Sequence, residues 1–266
     1  MGTRTRWVGV IGAPVAHSRS PAMHNAALAA LDLDWAYGAF LVDKHDLAAA
    51  IAGARALGFV GLNVTVPHKI EALAWCVPDA VARRTGAVNT LVFTSGLTNG
   101  HNTDVYGFRK LLVEAGEEAR GKRALVLGAG GAARAVVIAL RDLGAHVTVA
   151  ARSRSLGLGS DEEPPHIDLA SARDHLADVN LLIDATPRGL ADEPVPEDPA
   201  LLAPDALVVD LVVRRETPLV AAARRAGVRA VTGTAMLLHQ GAAALALWTG
   251  REPPLDVMRA ALDASL

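Results

Sequence analysis

Residues 124–134 constrain the fold of this chain more than any other stretch. A short apolar run, Ala124-Leu-Val-Leu127, ends in Gly128, Gly130 and Gly131. A helix-favouring segment follows from Ala132 to Leu143, and a second apolar run covers His146–Ala150. Strand, glycine turn, helix and strand in that order form the opening βαβ unit of a dinucleotide-binding sheet. Gly128 allows the tight bend and Gly130 lets backbone approach a pyrophosphate. Ala133 keeps helix and strand close, and the first N–H groups of the helix face the phosphates. The second strand ends in Ala150-Ala-Arg152-Ser153-Arg154, without the carboxylate that bonds ribose hydroxyls in NAD sites. A guanidinium holds a 2′-phosphate where a carboxylate repels it, so the pattern favours NADP.

The rest of the chain fits the same class. Its 266 residues suit two modest domains, and its 51% hydrophobic and 20% charged content suits a folded α/β protein. A net charge of −2 without a basic, aromatic-interleaved stripe argues against nucleic acid. Cys76, the sole cysteine, excludes an intrachain disulfide and a cysteine metal cluster. The histidines show no ligand spacing, so no metal is expected. The apolar run Trp7–Ala16 after Arg4 and Arg6 is interrupted by Gly9, Gly12 and Pro14, and reads as strand and turn rather than leader. Ala235–Trp248 is too short to span a bilayer. The expectation is a soluble, unprocessed, cytoplasmic protein with no membrane partner.

Ahead of the glycine turn, strands are expected at Trp7–Gly12, Trp35–Val42, Gly61–Val66 and Gly86–Phe93. Helices are expected from Pro21 to about Leu31 with Ser20 as cap, from a cap at Asp46 to about Leu57, and from Pro67 towards Cys76. This alternation implies an open, mostly parallel sheet. A helix from Asp104 to about Ala115 links it to the second unit. There, Ser153–His175 reads as surface loop, and Leu181–Asp184, Ala206–Val213 and Val228–Val231 as strands. Helices from about Ala235 and about Pro254 return to the first domain. The class is two-domain α/β: an N-terminal open sheet domain and a Rossmann-like domain, with a cleft between them. The boundaries are 1–103 with 237–266, and 104–236.

Ligands of such sheets bind beyond the carboxyl ends of the strands. The polar residues expected there are Ser18, Ser20, Thr65, Lys69, Asn89, Thr90, Asp104 and Gln240, a set suited to a small polyhydroxylated substrate. Lys69 and Asp104 are the one acid–base pair among them. His17 reads as structural or solvent-facing.

The chain resembles the shikimate dehydrogenases. The resemblance rests on Gly12–Pro21, Asn63–Lys69, Gly86–Thr90, Asn102–Asp104, Gly128–Arg134, Ala185–Gly189, Glu216–Leu219 and Gly233–Gly241, in the family's order along nearly the whole chain. It implies that Ser18 and Ser20 hold a substrate carboxylate, that Thr65, Asn89, Asp104 and Gln240 bind ring hydroxyls, and that Lys69 with Asp104 does acid–base chemistry. It implies cofactor contacts at Gly128, Ala129, Gly130, Gly131, Ala132, Ala133, Arg152, Ser153, Arg154, Thr186, Val212, Gly233 and Met236. The implied reaction is reversible reduction of 3-dehydroshikimate to shikimate by NADPH, in aromatic amino-acid biosynthesis, by a monomer or homodimer. A quinate/shikimate paralogue using NAD or another ring acid is the alternative, and a non-catalytic binding paralogue a more distant one.

Three positions depart from the family's pattern. Val213 stands where a tyrosine is usual. Ala151-Arg-Ser153 replaces Asn-Arg-Thr. Asp184 replaces the asparagine before Ala-Thr-Pro, which places a carboxylate near the expected phosphate site.

Overall fold

The computed structural model describes residues 2–94, 96–188 and 197–266. The chain divides into two compact units, Met1–Gly107 with Leu238–Leu266, and Phe108–Leu237. Each is built on its own six-stranded sheet.

The first unit runs β1 (Arg6–Gly12), α1 (Ser20–Ala30), β2 (Trp35–Leu41), α2 (Leu47–Ala56), β3 (Gly61–Val64), β4 (Val77–Pro78), α3 (Ala80–Thr85), β5 (Thr90–Thr94) and β6 (Leu97–His101). Helix α4 (Asp104–Glu114) then leads into the second unit. Strand order in the sheet is β2-β1-β3-β5-β6-β4. Strands β1, β2 and β3 pair in parallel, β5 joins antiparallel to β3 and β6, and β4 is parallel to β6. The apolar faces of β1, β3 and α2 meet in a core of Ile11, Leu47, Ile51, Leu62, Val64 and Leu91.

The second unit runs β7 (Arg123–Leu127), α5 (Gly131–Asp142), β8 (His146–Ala151), β9 (His166–Asp168), β10 (Leu181–Asp184), β11 (Leu207–Asp210), α6 (Pro218–Arg225) and β12 (Arg229–Thr232). Its sheet, β12-β11-β10-β7-β8-β9, is parallel throughout. Strand β7 is apolar from Ala124 to Leu127 and β10 from Leu181 to Ile183, as in parallel sheets covered by helices on both faces, and Val126, Leu127, Leu182 and Ile183 are fully buried. Helices α7 (Thr234–Thr249) and α8 (Leu255–Ser265) follow, and α8 packs on α1. Among the described residues no helix is long and apolar enough to cross a membrane.

Several local expectations are corrected. Ser20 is the first residue of α1 and not its cap. The cap position is Arg19, without a side-chain bond, and the Ser18 hydroxyl instead accepts from the Ser20 N–H at 3.3 Å. Asp46 occupies the cap position of α2 without capping it, because a 3₁₀ turn over Lys44–Asp46 holds it in helical backbone geometry. No α-helix begins at Pro67. Residues 65–69 form a turn in which His68 N–H bonds Thr65 C=O at 2.9 Å, and a 3₁₀ helix follows over Glu71–Trp75. The fourth strand begins at Thr90, because Gly86 closes α3 at φ 59°, in the left-handed region. The segment expected as loop after Ser153 contains β9 and a 3₁₀ stretch over Leu169–Asp178. Strand β11 ends at Asp210, whose carboxylate takes the Val212 N–H at 3.0 Å.

His24, fully buried on α1, joins three elements of the first unit. Its ring lies 4.2 Å from that of Tyr37 and nearly parallel to it, with Trp248 at 5.7 Å. Its Nδ1 meets Ser20 C=O at 2.9 Å and its Nε2 meets Gly241 C=O at 3.2 Å. Burial lowers its pKa from 6.5 to about 4, against the pull of both carbonyls. A histidine held neutral in the fold adds stability that is complete above pH 6.5 and is lost as pH falls towards 4. The thermal midpoint should therefore drop across that window. A His24→Phe variant, less stable at pH 7, should drop less, as scanning calorimetry at stepped pH would show.

Candidate active site

Lys69 reaches its position through backbone constraint. After β3 the chain turns, and His68 packs inward with its Nε2 donating to Val42 C=O at 2.7 Å. The carbonyl of Lys69 accepts from Val88 N–H at 2.7 Å. Held at both sides, Lys69 directs its ammonium at Asp104, and Nζ donates to Oδ2 at 2.6 Å. The pair is largely withdrawn from water, with side-chain exposures of 15% and 4%.

Asp104 is placed by the start of α4. Asn102 Oδ1 accepts from the N–H groups of Asp104 and Val105 at 3.1 and 3.4 Å, satisfying donors that a helix start leaves unpaired. Asn102 is itself fixed by donating to Thr85 Oγ1 and Ala87 C=O. The Asp104 carboxylate thus sits in a first helical turn, where the helix dipole favours negative charge.

Asn89 joins the groups. Its Nδ2 donates to Asp104 Oδ1 at 2.9 Å, Thr103 Oγ1 at 2.9 Å and Gln240 Oε1 at 3.1 Å. Its Oδ1 accepts from Thr103 N–H at 2.8 Å and from the Thr90 and Thr103 hydroxyls at 3.2 Å. A continuous chain therefore runs Lys69–Asp104–Asn89–Gln240 within the first unit. Ser18 and Ser20 lie at the start of α1, with Ser18 half-buried, Ser20 buried and His17 exposed. They are tied to the Gln240 turn through His24, which bridges Ser20 and Gly241. Thr65 is half-buried at the end of β3, and its carbonyl closes the turn with His68.

Sequence reasoning missed the next layer. Asn63 is buried in β3. Its Nδ2 donates to Asn89 C=O and Thr90 Oγ1 at 3.2 and 3.1 Å, and its Oδ1 accepts from Tyr37 Oη at 2.7 Å. The available signal was an amide inside an otherwise apolar strand, since such a group is kept only when bonded.

The second unit carries the glycine turn. Gly128 has φ +106°, and a Cβ there would stand 3.1 Å from Thr186 Cγ2. Gly130 is the cap of α5 without any side-chain bond, and a Cβ on it would meet nothing within 4 Å. Gly131 and Ala133 are buried and Ala132 half-buried. The first turn of α5 holds no acidic residue, so no side chain there offsets the positive polarity of its N–H groups, which fits a phosphate. Arg152, Ser153 and Arg154 are exposed after β8, and the Ser153 hydroxyl donates to Ser155 C=O at 2.7 Å. Val212 and Met236 are buried. Gly233 N–H meets Val212 C=O at 3.3 Å, and a Cβ on Gly233 would lie 2.2 Å from Leu211 C=O. The donor set and the open space over Gly130 fit a dinucleotide with a 2′-phosphate. Gly189, the last residue of the Ala185–Gly189 motif, lies outside the described residues.

Asp184 is turned into its own loop. Its Oδ1 accepts from Thr186 N–H at 2.8 Å and from the Thr186 hydroxyl at 2.6 Å, and its Oδ2 lies 3.4 Å from Arg188 Nη2. The amide of an asparagine is not required for this turn, since one carboxylate oxygen does the accepting.

Comparison with known proteins shows the family. Residues 10–91 match the family described as shikimate dehydrogenase substrate binding domain, and residues 233–262 match the shikimate 5′-dehydrogenase C-terminal domain. The shikimate dehydrogenase (NADP(+)) of Symbiobacterium thermophilum is 46% identical over 98% of this chain and 95% of its own length. The crystal structure of shikimate dehydrogenase from Aquifex aeolicus is similar with a TM-score of 0.92 at 36% identity, covering 98% of this chain and 99% of that one. Shikimate 5-dehydrogenase from Thermus thermophilus, in complex with NADP(H) and shikimate, gives 0.87 at 39% identity, covering 98% and 100%. With relatives of such identity covered almost end to end, and two models of the same family matched, the chain belongs to the shikimate dehydrogenase family.

Proposed function

We propose that this chain is an NADP-dependent shikimate dehydrogenase, an oxidoreductase that reversibly reduces 3-dehydroshikimate to shikimate. The observation that carries the reading is the buried Lys69–Asp104 ion pair at 2.6 Å, continued by Asn89 and Gln240. The first unit is read as the substrate domain and the second as the cofactor domain. A quinate-using or non-catalytic role is not favoured, since relatives of high coverage are named for the NADP-dependent shikimate reaction. The enzyme is read as cytoplasmic, in keeping with a single free cysteine.

When bound, the nicotinamide supplies the hydride that adds to the ketone carbon, or accepts it in the reverse direction. Gly128, Gly130, Gly131 and Ala133 hold the pyrophosphate at the α5 N-terminus, and Arg152, Ser153 and Arg154 hold the 2′-phosphate. Ala129, Ala132, Thr186, Val212, Gly233 and Met236 complete that wall. In the first unit, Ser18 and Ser20 hold the substrate carboxylate, and Thr65, Asn89, Asp104 and Gln240 take the ring hydroxyls. Lys69 stands beside the ketone oxygen. One of its three hydrogens is committed to Asp104, and the other two can meet the negative charge that builds on the oxygen. Lys69 delivers the proton that completes the alcohol, and takes it back in the reverse reaction. Asp104 keeps the ammonium aimed and accepts from a neighbouring hydroxyl.

Absorbance at the reduced-nicotinamide band, with shikimate and NADP or NAD in parallel, tests the reaction directly. Turnover should be rapid with NADP, and the absence of turnover with shikimate and either cofactor would refute the reading. Lys69→Met, which keeps the stem and removes the charge, should lower kcat by about 10²–10⁴-fold with the fold intact by circular dichroism. Arg152→Ala removes a charge-assisted contact worth about 1.5–3 kcal/mol and should raise KM for NADP by roughly ten- to a hundredfold. KM for NAD should change little in the same variant, and an equal effect on both cofactors would make Arg152 a bystander.

A further inference from the structure

Among the described residues, the end of strand β10 beside the glycine turn gathers more buried carboxylates than guanidinium groups. Strand β10 ends at Asp184, whose register partners are Leu127 on β7 and Asp210 on β11. Leu127 immediately precedes Gly128, so the Asp184 carboxylate arises on the strand next to the turn. Thr186, which gives Asp184 both its N–H and its hydroxyl, has its methyl 3.1 Å from the Cβ position of Gly128. The carboxylate and the turn are thus linked through one residue.

The charges around it come from every neighbouring element. From β11, Asp210 faces Asp184 as a like charge. From the loop after β10, the Arg188 guanidinium reaches Asp184 at 3.4 Å and Glu197 at 3.1 Å. Arg214 faces Asp210 rather than Asp184. Strand β7 offers only apolar Leu127. Asp184, Asp210 and Glu197 are each at most 3% exposed, and Glu197 Oε2 has no hydrogen-bond partner among the described residues. Among the described residues, three buried carboxylates thus share two guanidinium groups. At low effective dielectric such a group is sensitive to further negative charge.

We infer that Asp184 is a proton-exchanging positioning residue of the cofactor site: it takes up a proton from solvent when the dinucleotide phosphates seat on the Gly128 turn, so that cofactor affinity rises as pH falls. The inference rests on the reading of that turn as the dinucleotide site. Its protonation is within reach of ordinary conditions, because burial and Asp210 raise the Asp184 pKa to about 6 against the opposing pull of Thr186 and Arg188. The neutral acid still accepts from Thr186, so the turn survives while the repulsion of phosphate is relieved. The proton removes one negative charge and leaves both Thr186 hydrogen bonds, while the contact with Arg188 loses its ionic character.

The test compares the protein with Asp184→Asn, which keeps the shape and abolishes the titration. Calorimetry of NADP binding near pH 6.5, in buffers of different ionisation enthalpy, counts the protons taken up. The 2′-phosphate of the ligand titrates in the same range and contributes equally to both proteins, so their difference reports Asp184. The wild-type protein should take up more protons per ligand than the variant. A one-unit rise in the acid's pKa on binding would make its affinity gain from pH 8 to 5.5 up to about tenfold larger. Equal proton counts and parallel affinity profiles would overturn the inference while leaving the cofactor site in place. No NADP binding by either protein would overturn the cofactor reading and this inference with it. Should the variant misfold, the aspartate carboxyl carbon signals of the wild-type protein decide by NMR. One carboxyl titrating near pH 6 and moving upward with NADP supports the inference, and no such carboxyl refutes it.

Discussion

The site in the first unit depends on one ion pair kept away from water. Bringing an ammonium and a carboxylate out of water costs several kcal/mol per ion unless close geometry and further hydrogen bonds offset it. The Lys69–Asp104 pair meets both conditions. The two heavy atoms are 2.6 Å apart, and the second carboxylate oxygen is satisfied by Asn89. That makes Asn89 indispensable in a way its chemistry alone does not suggest. It also accepts from Thr103 and faces Gln240, so the same amide fixes the start of α4 and the side chain on α7. Asn63 and Tyr37, both buried, continue the bonding into the sheet. A network of this kind specifies one arrangement, since any half-satisfied alternative strands a charge.

Much of this was legible in the sequence, for physical reasons that differ from part to part. The glycine turn is a local feature: its backbone demands and its flanking periodicities lie within thirty residues, and β7, α5 and β8 stand where the sequence placed them. The family is legible because its motifs recur in order along the chain. The nearness of Lys69 to Asp104 could not be read from spacing. They are 35 residues apart and meet only because β3, β5 and β6 fold back on one another. The errors were of another kind. Pro67 is a good first residue for a helix, yet the turn is claimed by tertiary bonds from His68 to Val42 and from Val88 to Lys69. Ser20 is a good cap residue, yet Ser18 takes that task from outside the helix. Strands β4 and β6 and helix α3 were too short, and too interrupted by polar residues, to show a period. Asn63 escaped because an amide within a strand carries no local signal of the partners that justify it.

The two units handle charge in opposite ways. In the first, a cation and an anion are matched one to one, and the remaining groups are neutral amides and hydroxyls. Lys69 is the one cation in that bonded chain. In the second, the positive features are spread along the edge of the sheet, in the open N-terminus of α5 and the exposed arginines after β8. The negative features are gathered beneath it at Asp184, Asp210 and Glu197. A wholly basic cradle would hold an anionic dinucleotide tightly in both its oxidised and reduced forms, and release of the spent cofactor would suffer. On the proposed reading, a buried acid behind a basic rim would limit that grip while leaving the rim free to select the 2′-phosphate. Asp184 can occupy this place because Thr186 and Arg188 satisfy its oxygens within four residues. Its charge can therefore act on the turn without unravelling the loop that carries it.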